Sequence, residues 1–215
     1  MLLSLVLTTS SKITDAMSKD DADYGCLLIV IAITVALLTA VFRSSAQTVT
    51  VGDDNFLIEY DTTMLVPRSV QWTLTTSDVG TVRRVSAWRF IQDKRISGRQ
   101  ATETDYLRSG YDKGHMCPAA DRSFSVATMR STFIMSNVAP QKPTVNRGEW
   151  SRIEANTRKY VRGGHALKVT ASVVFWQADT TRIGKNHVCV PHAFVKTIRL
   201  LENDSIIYSK YVQND

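Results

Sequence analysis

The segment Tyr111 to Asp121, YDKGHMCPAAD, places an acid, a base, an imidazole and a thiol within eleven residues. The unperturbed pKa of His115 lies near neutrality, so this side chain can accept a proton from water if it faces a cleft. Asp112 can orient a backbone group or an imidazole, and Lys113 adds positive charge near a bound phosphate. The alternative interpretation is a hydrogen-bonded polar strand end that carries no chemistry.

His115 and Cys117 also raise the question of a zinc site. Structural zinc needs four ligands, and the sequence contains no CxxC, HxxxH or HExxH spacing to supply the others. Zinc is therefore not expected. Cys117 and Cys189 are an even pair that permits a disulfide in an oxidising compartment without establishing one, and Cys26 is interpreted as a buried apolar residue.

The elements that position this segment begin with short runs of aromatic and β-branched residues, which predict an antiparallel meander. These runs are Asp54–Asp61, Ser69–Thr76 and Val85–Asp93. Similar runs after the segment predict a short strand and then three more. They are Ser131–Gln141, His165–Trp176, His187–Leu201 and Ser205–Val212.

Residues 147–162 predict a helix, because apolar side chains recur there at helical spacing. Asn146 occupies the position of an N-cap, and Gly163 and Gly164 end the pattern. The side chains predicted to form the apolar face are Trp150, Ile153, Thr157, Tyr160 and Val161. The expected fold class is therefore α+β, a mixed and mainly antiparallel sheet with at least one helix packed on it.

The N-terminus predicts export or anchoring. Residues 25–42 form an uncharged run of eighteen residues, near the lower limit for spanning a bilayer, and small residues near Ala46 suit a signal peptidase. Four aspartates in the leader are atypical of a secretory n-region and of a mitochondrial transit peptide. A buried core helix is the alternative. We predict a signal peptide or membrane anchor over 1–46 and one folded domain over 47–215, secreted, periplasmic, or anchored through 25–42.

The folded domain is predicted to be basic. Residues 1–46 hold three basic and four acidic residues, so removing them raises the formal net charge from +6 to +7. Basic domains are attracted to polyanions such as nucleic acid, anionic lipid and acidic glycans. A net charge of this size also suits a small soluble protein with no such partner. Charge alone does not decide between these alternatives.

Three blocks, DKGHMCPAAD (112–121), SNVAPQ (136–141) and NRGEWSRIE (146–154), resemble the linked motifs of the DNA/RNA non-specific endonuclease family. That family carries D-R-G-H, then S-N-x-x-P-Q, then N-x-G-x-W-x-x-L/I-E. A weaker similarity extends from Val70 to Lys196. The resemblance implies an endonuclease domain whose active site is carried by a ββα-metal finger on a mainly antiparallel sheet.

The resemblance also implies a role for each matched residue. His115 would be the general base, and Asn146 the sole protein ligand of Mg²⁺, for which Mn²⁺ can substitute; such a sparse site is reasonable because Mg²⁺ commonly keeps several waters. Glu154 would hold a metal-bound water, Asn137 would fix the site by hydrogen bonding, and Arg99 would stabilise the transition state. Each residue has an ordinary alternative as a cap, a solvated charge or a loop cation, but the alternatives are less favoured for the set.

Lys113 departs from the family pattern, which usually has arginine there, and loses the planar fork that grips a phosphate through two bonds. The implied activity is hydrolysis of DNA and RNA with little sequence preference, because the site engages phosphate more than bases. The alternatives are a nucleic-acid-binding module with an inactive site, or a basic exported protein that binds glycans or membrane surface. The expected partners are DNA and RNA, and a membrane only through the N-terminal segment, with a homodimer as one arrangement.

Overall fold

A six-stranded antiparallel sheet forms the core in the computed structural model, which describes residues 48–53, 55–176 and 181–215. The strands of the described residues are β1 (Thr48–Asp53), β2 (Phe56–Asp61), β3 (Val66–Leu74), β4 (Asp112–His115), β5 (Val138–Gln141), β6 (Leu167–Val174), β7 (Arg182–Ile183), β8 (Val188–Cys189), β9 (Ala193–Leu200) and β10 (Ile206–Gln213). The main sheet has the order β1-β2-β3-β6-β9-β10, and β4-β5 and β7-β8 form separate pairs.

The central strands alternate between buried and partly exposed residues, as expected for a sheet that buries one face under a helix. On β3 the side chains of Val70, Trp72 and Leu74 are fully buried, and on β6 those of Leu167 and Val169 are fully buried. Burying each large apolar side chain contributes about 1.5–3 kcal/mol. The sheet therefore supplies both the core and a rigid base beneath the helix.

The predicted meander is confirmed for two of its three runs, which appear as β2 and β3. The third prediction, Val85–Asp93, is wrong, because only Ile91 makes an isolated bridge there, to Ile134. In this run Phe90 is buried, whereas Val85 and Ile91 are about half exposed, so the apolar residues do not share one face. The segment is therefore a loop in the structure. The sequence also gave no sign of β1, in which only Val51 is buried.

The later strands are confirmed with changed bounds. His165–Trp176 contains β6, and Ser205–Val212 corresponds to β10, an edge strand of the sheet. In Ser131–Gln141 only the last four residues form a strand, β5. His187–Leu201 is divided into β8 and β9 around Pro191, which cannot donate a ladder hydrogen bond. Both Cys117 and Cys189 are buried and free, so the permitted disulfide does not form.

A ββα unit carries the residues of the three sequence blocks, which confirms the predicted α+β fold. Strand β4 pairs with β5, and the chain then enters a π-helical segment, Val145–Trp150, that leads into a long helix. The α-helices of the described residues are α1 (Val126–Ser131) and α2 (Ser151–Arg162).

The ends of the predicted helix are confirmed only at the C-terminus, where Gly163 caps α2 and Gly164 has a φ of +98°. Asn146 is not an N-cap. It lies within the π-helical segment, where its backbone N–H donates to Lys142 O and its side chain is engaged elsewhere. Tyr160, predicted on the apolar face, is 53% exposed, whereas the other predicted positions are buried.

The described residues lie within the unit Ala46–Asp215. The predicted signal peptide or anchor over 1–46, including the apolar run 25–42, lies outside the described residues and stays a prediction. Among the residues that the structure describes, no helix is long and apolar enough to cross a membrane.

Replacing Trp72 with phenylalanine tests how the sheet supports a buried charge. Trp72 is fully buried, and its Nε1 donates to Asp121 Oδ2 at 3.1 Å. We expect Trp72→Phe to lower the free energy of unfolding by about 1–3 kcal/mol, because a buried carboxylate oxygen loses its partner. Urea denaturation measures this loss. Trp176→Phe is the control, because Trp176 is 52% exposed. An equal effect of both changes would contradict the prediction.

Candidate active site

A cleft of about 590 Å³ lies over the ββα unit. Its lining includes His115 from β4, Asn146 from the π-helical segment and Glu154 from α2. Its other charged lining residues are all basic: Arg84, Lys113, Arg147, Arg158 and Arg162. The cleft thus combines one imidazole, one amide and one carboxylate with an excess of positive charge.

His115 is the last residue of β4 and is aligned with Val138 on β5. Its backbone oxygen accepts a hydrogen bond from Trp150 Nε1 at 3.3 Å. Its ring contacts Phe90, at a centroid distance of 4.9 Å, and Phe133, at 5.1 Å. Strand pairing therefore fixes the backbone of His115, and two phenyl rings fix its imidazole.

The surroundings of His115 favour the neutral imidazole. Burial, together with the positive charges of Arg84 and Lys113, lowers the pKa of His115 to about 3. The Nε2 atom is buried and has no hydrogen-bond partner among the described residues. At neutral pH the imidazole is therefore neutral, and one of its two ring nitrogens can accept a proton.

Asn137 lies beneath the cleft and is fully buried. Its Oδ1 accepts a hydrogen bond from Cys117 N at 2.9 Å, and its Nδ2 donates to Cys117 O at 2.9 Å and to Thr132 O at 3.0 Å. The Asn137 backbone oxygen also accepts from Met116 N. Asn137 thus clamps the two residues that follow His115.

Asn146 is oriented by Asp112. Its Nδ2 donates to Asp112 Oδ2 at 2.9 Å, and because an ionised carboxylate accepts hydrogen bonds only, the amide nitrogen must face it. Arg147 also binds Asp112 through two hydrogen bonds of 2.7 and 2.8 Å. Burial alone would raise the pKa of Asp112, but the hydrogen bonds from Arg147 and Asn146 lower it. The other atom of the Asn146 amide, Oδ1, therefore takes no part in the contact with Asp112.

The donor set suits a hard cation. Among the described residues, no group of three or more His, Cys, Asp or Glu side chains could hold a metal ion. The oxygen donors that the cleft offers a cation include the Asn146 amide and the Glu154 carboxylate, with water completing the coordination. Mg²⁺ dehydrates reluctantly and accepts such a site, whereas structural zinc requires four protein ligands.

Glu154 lines the cleft from α2, and its side chain is 15% exposed. Its Oε1 lies 3.7 Å from the ammonium of Lys196. Burial raises the pKa of Glu154 to about 7, and Lys196 partly offsets this rise. Arg158, one turn further along α2, donates to Asp121 at 2.7 Å. The carboxylate of Glu154 therefore belongs to a buried cluster of alternating charges.

Lys113 is tethered by Glu103. The Lys113 Nζ donates to Glu103 Oε1 at 2.9 Å, and Arg89 Nε donates to Glu103 Oε2 at 2.6 Å. The Lys113 ammonium also lies 5.3 Å from the centre of the Phe90 ring. Lys113 thus adds positive charge beside His115 while one of its donors is already engaged.

The structure does not bring Arg99 to the cleft, contrary to its assignment from the sequence. Arg99 Nη2 instead donates to the backbone oxygen of Asn186 at 3.0 Å, and Arg99 is not among the lining residues. The arginine found in the cleft is Arg84, whose guanidinium lies 5.1 Å from the centre of the Phe133 ring. Arg84 is one of three arginines in the segment RRVSAWR, which carries no motif to distinguish it.

The fold and the cleft agree with one protein family. The pattern of the DNA/RNA non-specific endonuclease family matches residues 35–214. The chain belongs to this family, as the three sequence blocks indicated.

Known relatives carry related names. The chain is 38% identical over 121 residues to "Endonuclease G, mitochondrial" of Homo sapiens, covering 52% of this chain and 41% of that protein. It is 28% identical over 150 residues to "Nuclease" of Nostoc sp., covering 70% of this chain and 54% of that protein. The chain therefore spans about half the length of these curated relatives.

A solved structure is similar over most of the described fold. The crystal structure of the EndoG/EndoGI complex, which concerns the mechanism of EndoG inhibition, contains a chain that matches with a TM-score of 0.69 and 28% sequence identity. The match covers 77% of this chain and 74% of that chain.

The protonation of His115 can be measured directly. Because burial and two neighbouring cations lower its pKa, we expect the imidazole to stay neutral from pH 8 down to pH 5 in the metal-free protein. Proton NMR of the imidazole resonances, assigned by comparison with His115→Gln, follows this titration. A midpoint near the ordinary histidine value of about 6.5 would contradict the prediction.

Proposed function

We propose that this protein is a Mg²⁺-dependent endonuclease that hydrolyses phosphodiester bonds of DNA and RNA, leaving 5′-phosphate and 3′-hydroxyl ends, with His115 as the general base. The observation that carries the proposal is the meeting of His115, Asn146 and Glu154 in one basic cleft. These residues come from sequence blocks up to thirty-nine positions apart, and the ββα unit places them around one volume.

The basic lining accounts for substrate binding. Phosphate groups are attracted by the arginines of the cleft and by Lys113, an electrostatic contact that does not depend on base sequence. The same contacts serve DNA and RNA, because both present a chain of phosphates. We therefore expect low sequence preference.

His115 would remove the proton from an attacking water. Its neutral form is the one that accepts a proton, and its low pKa in the free protein weakens it as a base. A phosphate in the cleft would raise this pKa, because a negative charge nearby favours imidazolium and offsets Arg84 and Lys113. Binding of the substrate would thus bring the base toward the working pH.

Asn146 would hold Mg²⁺ through Oδ1, with Asp112 keeping the amide in that orientation. When bound, Mg²⁺ would neutralise charge that develops on the phosphate. Glu154 would accept a hydrogen bond from water in the cleft, and Asn137 would hold the backbone behind His115. The substitution of Mn²⁺ for Mg²⁺ stays a prediction.

Arg84 takes the role that the sequence analysis gave to Arg99, because Arg84 lies in the cleft and Arg99 does not. A guanidinium in this position would stabilise charge on the phosphorane-like transition state. Lys113, held by Glu103, would serve mainly as fixed positive charge beside the base.

The second candidate function is a nucleic-acid-binding module with an inactive site. The tethered Lys113 favours it, because the fork of an arginine is lost at this position. Export, anchoring through residues 25–42 and a homodimer stay predictions.

The central test compares His115→Ala with His165→Ala. We expect the first change to lower the rate of cleavage about 10²–10⁴-fold, because it removes the general base, and the second to leave the rate unchanged. His165 is exposed, its ring lies 5.2 Å from that of Tyr160 at a tilted angle, and it does not line the cleft. Plasmid DNA and RNA are each incubated with the full chain in Mg²⁺ or in EDTA, and products are followed on gels.

Loss of cleavage in EDTA and in His115→Ala supports the proposal. Wild-type protein that retards DNA on a gel but leaves both substrates intact would favour the binding module. Protein that neither cuts nor retards nucleic acid would contradict both functions.

Replacing Arg84 and Arg99 separately tests which arginine serves the reaction. We expect Arg84→Ala to lower kcat about 10²–10³-fold, the effect of removing one donor that stabilises transition-state charge. Arg99→Ala should leave kcat within about twofold, because its guanidinium donates to the backbone oxygen of Asn186 and does not line the cleft. Steady-state cleavage of a fluorescent oligonucleotide measures both. The reverse order of effects would restore the assignment made from the sequence.

A further inference from the structure

Lys196 is a fully buried lysine on β9, the strand of the main sheet next to the edge strand β10. Its side chain is 1% exposed, and its Nζ has no hydrogen-bond partner among the described residues. Lysine is almost never fully buried unless it is paired. The position of this ammonium therefore calls for a physical explanation.

Two indole rings and one carboxylate surround the ammonium. Nζ lies 4.1 Å from the centre of the Trp150 ring and 5.4 Å from that of the Trp72 ring. Glu154 Oε1 lies 3.7 Å away, at the limit of an ion pair. The aromatic faces attract the cation, but they carry no net negative charge and cannot neutralise it as a carboxylate does. Glu154 is therefore the natural counter-ion.

The remaining charges around Glu154 come from its own helix and from one other element. Asp121 lies in the 3-10 turn Ala119–Arg122, and Arg158 lies on α2. These two groups bind each other at 2.7 Å, so each is already paired. Lys196 is therefore the cation that remains to pair with Glu154.

We propose that Lys196 is a positioning residue, whose buried ammonium holds one carboxylate oxygen of Glu154 so that the other faces the cleft. This inference rests on the proposed function of Glu154. Lys196 does not line the cleft, so it acts through Glu154 and does not touch substrate.

Trp150 extends the influence of Lys196 to the base. The ring that packs against the ammonium also donates its Nε1 to the backbone oxygen of His115 at 3.3 Å. Strand β9, which is paired on both sides by β6 and β10, thus supports both sides of the site through one lysine. A positioning group is best placed on such a rigid element.

Lys196→Met tests the proposal, because methionine is unbranched and can fill the space between the indole rings. We expect kcat to fall about 10–100-fold, the usual effect of removing a partner that orients a site group. KM should change little, because Lys196 does not contact substrate. Lys210→Met is the matched control. Lys210 is aligned with Lys196 on the neighbouring strand but is 47% exposed and pairs with Glu149.

A double variant separates positioning from general support of the fold. In a Glu154→Gln background, Lys196→Met should cause no further loss of kcat if Lys196 acts through Glu154. An equal fold-loss in both backgrounds would overturn the proposal. If Lys196→Met does not fold, Lys196→Gln, which also lacks the charge, is interpreted in the same way.

A second measurement does not require activity. Carbon-13 NMR follows the carboxyl group of Glu154 in the metal-free protein, and its titration midpoint should move upward in Lys196→Met and stay unchanged in Lys210→Met. An unmoved midpoint would overturn the proposal. If the wild-type protein is inactive but the Glu154 midpoint still moves upward in Lys196→Met, the proposed function is contradicted. The pairing of Lys196 with Glu154 is then supported on its own.

Discussion

The antiparallel pairing of β4 with β5 is the constraint on which the candidate site depends. It aligns His115 with Val138, and the buried amide of Asn137 clamps the backbone just after the imidazole. Because β5 leads directly into the π-helical segment and α2, this pairing also sets where Asn146 and Glu154 lie. A slip of one residue would turn the imidazole to the opposite face of the pair.

The site is built from charges that a stable core would exclude. Glu154, Lys196 and Asp121 are buried together, and burial disfavours the charged form of each group. The described fold compensates by pairing these charges and by placing indole rings against the ammonium. The large antiparallel sheet buries apolar side chains, and this burial offsets the free-energy cost of the buried charges.

The sequence predicted the parts of the structure that depend on local pattern. Runs of aromatic and β-branched residues located β2, β3, β6 and β10, and helical spacing located α2. The linked motifs predicted that His115, Asn146 and Glu154 would meet, and all three line the cleft, while their roles stay predictions. The positions of Arg84 in the cleft and of Lys196 beside Glu154 could not be predicted, because they depend on contacts between segments far apart in the chain. For the same reason the sequence could not show that Val85–Asp93 forms a loop and not a strand. Arg99 was misplaced for the same reason.

The enclosure of His115 by Phe90 and Phe133 has a consequence for the rate of proton transfer. A histidine on an open loop samples several rotamers, and it must lose this conformational entropy each time it reacts. Here the ring has lost that freedom when the chain folds. The side-chain entropy of His115 is therefore lost once, during folding, and the proton transfer proposed for this imidazole would begin from an ordered ring.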